Sequence, residues 1–419
     1  MTTKHLKVYI VSDVHLNDKR YDQKVFEENP EKKHFREFLT SLNQSYEEND
    51  QVTLILNGDI LDVTSCWYES VLPWDTQTDK VEAILRDIVT RIIENNVSVV
   101  KELKHFLQHP LSRIVYVIGN HDNLIGQYST AQKLIREKLL GQSFSNDNRI
   151  SFADSFEYPE LGLYVEHGHR FDPLNISDNS EPCFGDVISI LVVNHSVELI
   201  LARLKENGYS SELVTKIQSN LYDIEYLRPL SLLPFWIESV ANIYRSHPEC
   251  EGKAESIQGI FRKVILNFHK SPWAIKYLSK QLHLPKYFLM FWIDLMMRCP
   301  PILPTLSFLL SKLLRRTHSN NFQNEMAKQL HDEKKYRIIV FGHTHIPIVT
   351  TLGVTGHYCN TGGWTPVINL MKYSENKSSY MEYLIAESNF SRMEHSGSLQ
   401  IKLNLSSPDS KPRFSLKTT

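Results

Sequence analysis

An α/β fold with a large, mainly helical insertion is predicted by three features of this sequence. Apolar, β-branched runs that stop abruptly at Gly, Asp, Asn or His recur as far as His169 and once more at Tyr336–His345; amphipathic helical stretches separate the early ones; and the segment before the last run is poor in glycine and helical in its periodicity. Near-continuous apolarity suits strands buried on both faces, and strands alternating with helices imply right-handed crossovers.

In chain order, KVYIVSDVH (Lys7–His15), VTLILNGD (Val52–Asp59) and RIVYVIGNHD (Arg113–Asp122) are the first three predicted strands with their polar ends. Glu31–Tyr46 places Phe35, Phe38, Leu39 and Leu42 at helical spacing, and Asp79–Leu107 does the same with Val81, Ile84, Leu85, Ile88, Ile92, Val99, Leu103 and Phe106. LGLYVEHGH (Leu161–His169) and YRIIVFGHTH (Tyr336–His345) are the fourth and fifth strands. Between them Leu191–Leu204, Leu232–Tyr244, Trp273–Leu282 and Tyr287–Cys299 read as helices of an insertion. Thr355–Asn360, Tyr380–Ala386 and Leu399–Leu405 alternate as closing strands, and Ser406–Thr419 reads as a flexible tail. The expected organisation is a core of residues 1–174 and 336–405, an insertion or lid of 175–335, and a tail of 406–419.

Composition narrows the function classes. A formal net charge of −2 gives no global basic excess, which disfavours a dedicated nucleic-acid binder or nuclease. The cysteines, Cys66, Cys183, Cys250, Cys299 and Cys359, are odd in number, scattered and without a CxxC pair, so neither a disulfide framework nor a zinc knuckle is expected. With only Val8–Val11 as an apolar stretch near the N-terminus, no signal-peptide core is expected and the protein reads as cytoplasmic.

The polar strand ends are Asp13-Val14-His15, Gly58-Asp59, Asn120-His121-Asp122, His167-Gly168-His169 and His343-Thr344-His345. In an open α/β sheet ligands bind beyond the carboxyl ends of strands, so these clusters would share one site. Any one of them is an ordinary turn; their recurrence at each predicted strand end is not explained that way. Carboxylate, amide and imidazole without thiolate suit Mn, Fe, Co, Ni or Zn. Residues two apart normally share a strand face, but each pair here straddles a strand end where both can turn inward.

The series SDVH, GDILD, GNHD, EHGH and GHTH resembles the motifs of the calcineurin-like metallophosphoesterase superfamily, over Lys7–His169 and Arg337–Thr365. HGHRFD (His167–Asp172) and CNTGGW (Cys359–Trp364) are similar to its branch of UDP-2,3-diacylglucosamine hydrolases, which usually show Arg where this chain has His121. The resemblance implies a metallophosphoesterase-type αββα sandwich and an enzyme with two divalent ions, Mn first among the candidates. It makes Asp13, His15 and His345 ligands of one ion, Asn120, His167 and His343 ligands of the other, and Asp59 the bridge. A bridging hydroxide would then attack a phosphomonoester, phosphodiester or pyrophosphate, small or lipid- or nucleotide-linked. His121 is the implied general acid, its imidazole suited to that work, with Asp62 its orienting carboxylate; Asp62 also reads as a helix N-terminal carboxylate. Asp122 is assigned to fixing the loop through backbone hydrogen bonds. His169 faces substrate phosphate or supports His167, and Arg170 is a phosphate contact or a solvated surface residue.

Tyr287–Leu314 is the most apolar part of the chain, but Asp294, Arg298, Pro300, Pro301 and Pro304 interrupt any transmembrane run. It reads as the core of a helical subdomain or as an apolar lid for acyl chains or a membrane surface, with Lys312, Arg315 and Arg316 beside it. The competing class is a metal-binding scaffold that has lost turnover; every motif ligand and the acid are present here, which favours an enzyme.

Overall fold

The computed structural model describes residues 6–18, 30–68, 72–141, 148–172, 175, 182–222, 227–228, 240–241, 244–250, 257, 259–260, 263–264, 319–364, 368–369, 399–405 and 413–418. Its strands, in chain order, are β1 (Leu6–Val11), β2 (Gln51–Asn57), β3 (Ser112–Val117), β4 (Ile150–Ala153), β5 (Ser155–Tyr158) and β6 (Leu163–Glu166). There follow β7 (Leu227–Arg228), β8 (Ile338–Phe341), β9 (Ile348–Leu352), β10 (Gly356–Asn360), β11 (Ile368–Asn369), β12 (Leu399–Leu405) and β13 (Arg413–Thr418). The helices are α1 (Pro30–Asn43), α2 (Thr78–Asn95), α3 (Val97–Gln108), α4 (Asn123–Gln127), α5 (Ser129–Leu140), α6 (Phe184–Ile188), α7 (His195–Glu206), α8 (Ser211–Tyr222) and α9 (Ser319–Lys334).

The chain divides into two compact units. One comprises Met1–Ser180, Ser319–Pro366 and His395–Thr419; the other comprises Glu181–His318 and Val367–Glu394. The first is built on two sheets, as the αββα sandwich expected from the resemblance requires. One sheet runs β13-β12-β1-β2-β3-β4, with β1 to β4 parallel and β12 and β13 antiparallel at its edge. The other runs β5-β6-β8-β10-β9, parallel at its centre and antiparallel at both edges. A pattern of apolar runs reports burial on both faces but not which strands pair.

The sheets face each other through one core: Val8, Ile10, Ile55, Val115 and Val117 meet Leu163, Val165, Ile338 and Val340. Alternation on β8 sends Ile339 and Phe341 the other way, against Ala327, Met326 and Leu330 of α9. On the outer side of the first sheet lie α1, α2, α3 and α5, whose apolar stripes, Phe35, Leu39 and Leu42 on α1 among them, are buried. Helix, sheet, sheet, helix is the layered αββα arrangement.

Several expected elements differ. Asp79–Leu107 is two helices, broken at Asn96, whose buried amide donates to Ile92 O and Asn17 O and so leaves helical geometry to hold the loop after β1. Strands β4, β5 and β9 are additions, each four or five residues long and too short to show a period. The expected tail contains β13, where Arg-Phe-Ser-Leu-Lys-Thr alternates and pairs with β12. Helix α9, expected inside the insertion of 175–335, belongs to the first unit.

In the second unit, a π-helical segment, Ser189–Asn194, joins α6 to α7. Val197, Ile200, Leu201 and Leu204 of α7 pack with Leu213, Ile217 and Leu221 of α8 and with Val240 and Tyr244, and β7 pairs with β11. Gly185–Glu206 is long and apolar enough to cross a membrane by length and composition, but half of its most apolar window is buried within the protein. The expected helices at 273–282 and 287–299, the apolar segment 287–314, the strand at 380–386 and most of the helix at 232–244 lie outside the described residues.

Candidate metal centre

Each polar cluster lies just past a strand: Asp13 and His15 past β1, Asp59 past β2, Asn120 and His121 past β3, His167 past β6, and His343 and His345 past β8. Backbone bonds lace these ends together, Asp13 N–H to Gly58 O at 3.0 Å, His15 N–H to Asp59 O at 2.9 Å and Gly342 N–H to His167 O at 2.9 Å. The two sheets are tied at the same place, since Asn57 donates through Nδ2 to Glu166 O at 3.1 Å and accepts at its carbonyl from His167 Nδ1 at 2.8 Å.

Asp13, His15, Asp59, His343 and His345 all have positive φ, between 50° and 72°; among described non-glycine residues only Lys335 shares that conformation. Such a left-handed residue costs about 1–2 kcal/mol. The cost is met where it turns side chains off the strand's alternation and toward one another, which is how both members of D-x-H and of H-x-H point into one cluster. Glycine permits the approach: a Cβ on Gly119 would stand 2.2 Å from Asp59 Oδ1.

Among the described residues, three sets of donor atoms lie close enough to hold a metal ion: Asp13, His15 and His345; Asp59, His167 and His343; and His15, Asp59 and His121. Within them one lone pair after another is left facing inward. Asp13 Oδ2 accepts from Ser12 Oγ and from His343 N–H at 3.0 Å, while its buried Oδ1 has no hydrogen-bond partner. His167 gives its Nδ1 proton to Asn57 O, so its Nε2, also without a hydrogen bond, faces Asp59 Oδ2 at 3.2 Å. His15 gives Nδ1 to Asp62 Oδ2 at 3.0 Å, and its Nε2 stands 3.1 Å from His345 Nε2. Ring nitrogens and carboxylates set this close repel unless a proton or a metal ion lies among them.

The electrostatics agree. Burial opposes charge on His167, but Asp59 and Asp13 outweigh it and push the imidazole up to about 10. Burial, with repulsion from Asp59, pushes the Asp13 carboxyl up. For Asp59 burial is overcome by His167 and His121, which hold its carboxyl well below the usual range. The donor set thus fits divalent ions bound by oxygen and nitrogen.

His121, about a quarter exposed at its side chain, gives Nδ1 to Asp62 Oδ1 at 2.7 Å, and its backbone N–H binds Asp59 Oδ1 at 2.8 Å. Asp62 therefore holds His15 and His121 at once, a double role that spacing did not reveal. The two histidines outweigh its burial and keep the carboxyl well below the usual range. Asp122 fixes the loop, accepting from Gly119 N–H, Ile60 N–H and Tyr116 Oη.

Asn120 Oδ1 lies 3.0 Å from His343 Nδ1, and the ring of His169 packs 5.5 Å from that of His167. Arg170 is turned elsewhere: its guanidinium pairs with Asp154 at 3.1 Å and Glu166 at 3.8 Å, not with the cluster as a phosphate contact would. Two residues escaped the motif reading. Asp172, in HGHRFD, reaches His343 Nε2 at 2.9 Å. Gln323 of α9, fully buried, donates to Gly168 O and Gly342 O and accepts from Tyr358 Oη and Asn360 Nδ2, clipping together three strand ends. The phrase HGHRFD contains the first but drew notice only as a family resemblance, and nothing hinted at the second.

Parallel strand ends carrying carboxylates, an amide and imidazoles around converging lone pairs define a metal-dependent hydrolase of phosphoesters. Residues 6–211 match the family model of calcineurin-like phosphoesterase. The match ends before His343 and His345, which the fold adds to it. No curated protein matches the chain.

Proposed function

We propose that the chain hydrolyses a phosphate ester with two divalent ions, one held by Asp13, His15 and His345 and the other by Asn120, His167 and His343, with Asp59 shared between them. The observation that carries this is the place of Asp59 Oδ2, 3.2 Å from His167 Nε2 and 3.8 Å from His15 Nε2, between the two sets of donors. Bound ions of this kind neutralise phosphate charge and lower the pKa of water toward neutrality, Mn being the first candidate and Fe, Zn, Ni and Co the others.

The chain's own part is to hold and move protons. As a water oxygen bonds to phosphorus and the ester P–O bond breaks, His121 gives the proton on Nε2 to the leaving oxygen, with Nδ1–H fixed on Asp62 Oδ1. His169, whose ring packs beside those of His167 and His343, supports them or meets the phosphate. We assign the substrate to phosphate esters on an apolar or nucleotide-linked body, supported by the apolar sequence of 287–314 and by HGHRFD and CNTGGW; peripheral membrane contact is part of that proposal. The buried thiols of Cys66, Cys183, Cys250 and Cys359 favour a reducing, cytoplasmic setting.

The test is hydrolysis of aryl monoesters, aryl diesters, cyclic nucleotides, UDP-linked lipids and single-stranded DNA with Mn, Mg and Zn, in the wild type and His121→Ala. Metal-dependent turnover that His121→Ala lowers by about 10²–10⁴ for poor leaving groups, and less for activated aryl esters, is expected. Equal losses across leaving groups would remove His121 from the acid role.

A further inference from the structure

We infer that Asp172 is a positioning residue for His343: it fixes the ring proton on Nε2 and so aims the Nδ1 lone pair at the metal beside Asn120. The inference rests on the proposed ligand role of His343 and concerns a residue outside the motif series.

The histidines of the cluster are oriented in two opposite ways. His15 and His167 are anchored through Nδ1, on Asp62 Oδ2 and Asn57 O, and present Nε2. His343 is anchored through Nε2, on Asp172 Oδ2 at 2.9 Å with Asn175 Nδ2 3.4 Å away, and turns Nδ1 to Asn120 Oδ1 at 3.0 Å, where a metal ion would take the place of the Nδ1 proton. An imidazole can serve as a ligand only through an unprotonated nitrogen, and the hydrogen bond at its other nitrogen selects the tautomer. A carboxylate acceptor also raises the basicity of the ligating atom.

Asp172 is itself held to this task. It closes the single helical turn His169–Phe171, its N–H bonding His169 O at 3.0 Å. Asn175 then donates from its backbone to Asp172 O at 2.8 Å and from Nδ2 to Asp172 Oδ2 at 3.1 Å. Asp172 thus ties the loop after β6, which bears His167, to the loop after β8, which bears His343. Both side chains are mostly buried, at 16% and 9% exposure, so water competes little for the bond.

The experiment strips metal from the full chain as wild type, Asp172→Ala, Asp172→Asn and His343→Ala, and titrates each with Mn(II), counting the free ion by electron paramagnetic resonance. The wild type should bind two ions, and His343→Ala should lose one. Asp172→Ala should weaken that same ion by about 10–100-fold and leave the other alone, with the melting temperature of the metal-free protein unchanged. Asp172→Asn keeps an oxygen that accepts from Nε2–H, and it should restore most of the affinity. Wild-type affinity for both ions in Asp172→Ala overturns the inference, as does equal weakening of both ions with a lower metal-free melting temperature, or Asp172→Asn binding no better than Asp172→Ala. If His343→Ala still binds two ions, the ligand assignment of His343 fails and the inference with it.

Discussion

Asp62→Asn separates the two tasks that one carboxylate performs. In the wild type both oxygens accept, Oδ1 from His121 Nδ1 at 2.7 Å and from Ser65 N–H at 3.0 Å, Oδ2 from His15 Nδ1 at 3.0 Å. An amide of the same shape keeps one acceptor and offers an NH2 group in place of the other. The histidine that meets the NH2 must accept through Nδ1 and carry its proton on Nε2. At His15 that proton occupies the nitrogen facing His345 and the metal; at His121 it leaves a neutral ring that is a far weaker acid. Each lost bond is charge-assisted, worth about 1.5–3 kcal/mol, and about 1.4 kcal/mol is a factor of ten. The expected outcome is therefore a drop of about 10–100-fold in affinity for the ion at Asp13, His15 and His345, or a drop in turnover of similar or larger size for a poor leaving group, or both. The assay pairs Mn(II) titration with hydrolysis of an alkyl and a 4-nitrophenyl phosphate at saturating metal, beside His121→Ala, which should lower turnover without lowering metal affinity. Wild-type metal affinity together with a wild-type alkyl to aryl rate ratio in Asp62→Asn would refute the double role.

Three further outcomes follow from the geometry. Asp59→Asn removes the shared carboxylate and should lower the content of both ions on elemental analysis; loss confined to one ion would show that it does not bridge. Gln323→Leu leaves Tyr358 Oη and Asn360 Nδ2 short of an acceptor in a fully buried place and should lower stability by about 1–3 kcal/mol in urea unfolding, with an unchanged midpoint as the contrary result. Burial pushes the Cys359 thiol up to about 12. The folded protein then holds a proton that the unfolded chain releases above its own thiol pKa of about 8.5, so stability should fall between about pH 9 and 12, and Cys359→Ala should flatten that fall. Alkylation of Cys359 at pH 8 should be slow while the chain stays folded.

Much of the site was legible before the fold was known because its chemistry sits in contiguous motifs. A buried parallel strand needs apolar residues on both faces and a sharp polar stop, so SDVH, GNHD and GHTH mark both the strand end and the donors it delivers. Where burial was the only signal the logic was incomplete: apolar runs carry no record of their partners, so they did not say which of the two sheets each strand joins. It also read Asp79–Leu107 as one helix, because Asn96 interrupts the helix without interrupting the hydrophobic period.

By itself, then, the sequence determined which side chains the site contains and that they ride on strand ends, since residue type and local periodicity are properties of short segments. Only the tertiary structure decided how they are aimed. Left-handed turns at Asp13, His15, Asp59, His343 and His345 cost energy locally and persist because bonds from distant segments hold them. The partners that orient each ring, Asn57 for His167, Asp62 for His15 and Asp172 for His343, come from another strand end or another loop. Gln323 reaches the strand ends only because α9 returns to the sheet after the second unit has been made. Such contacts join residues that are far apart along the chain, so no local pattern encodes them, and packing of the two sheets creates them.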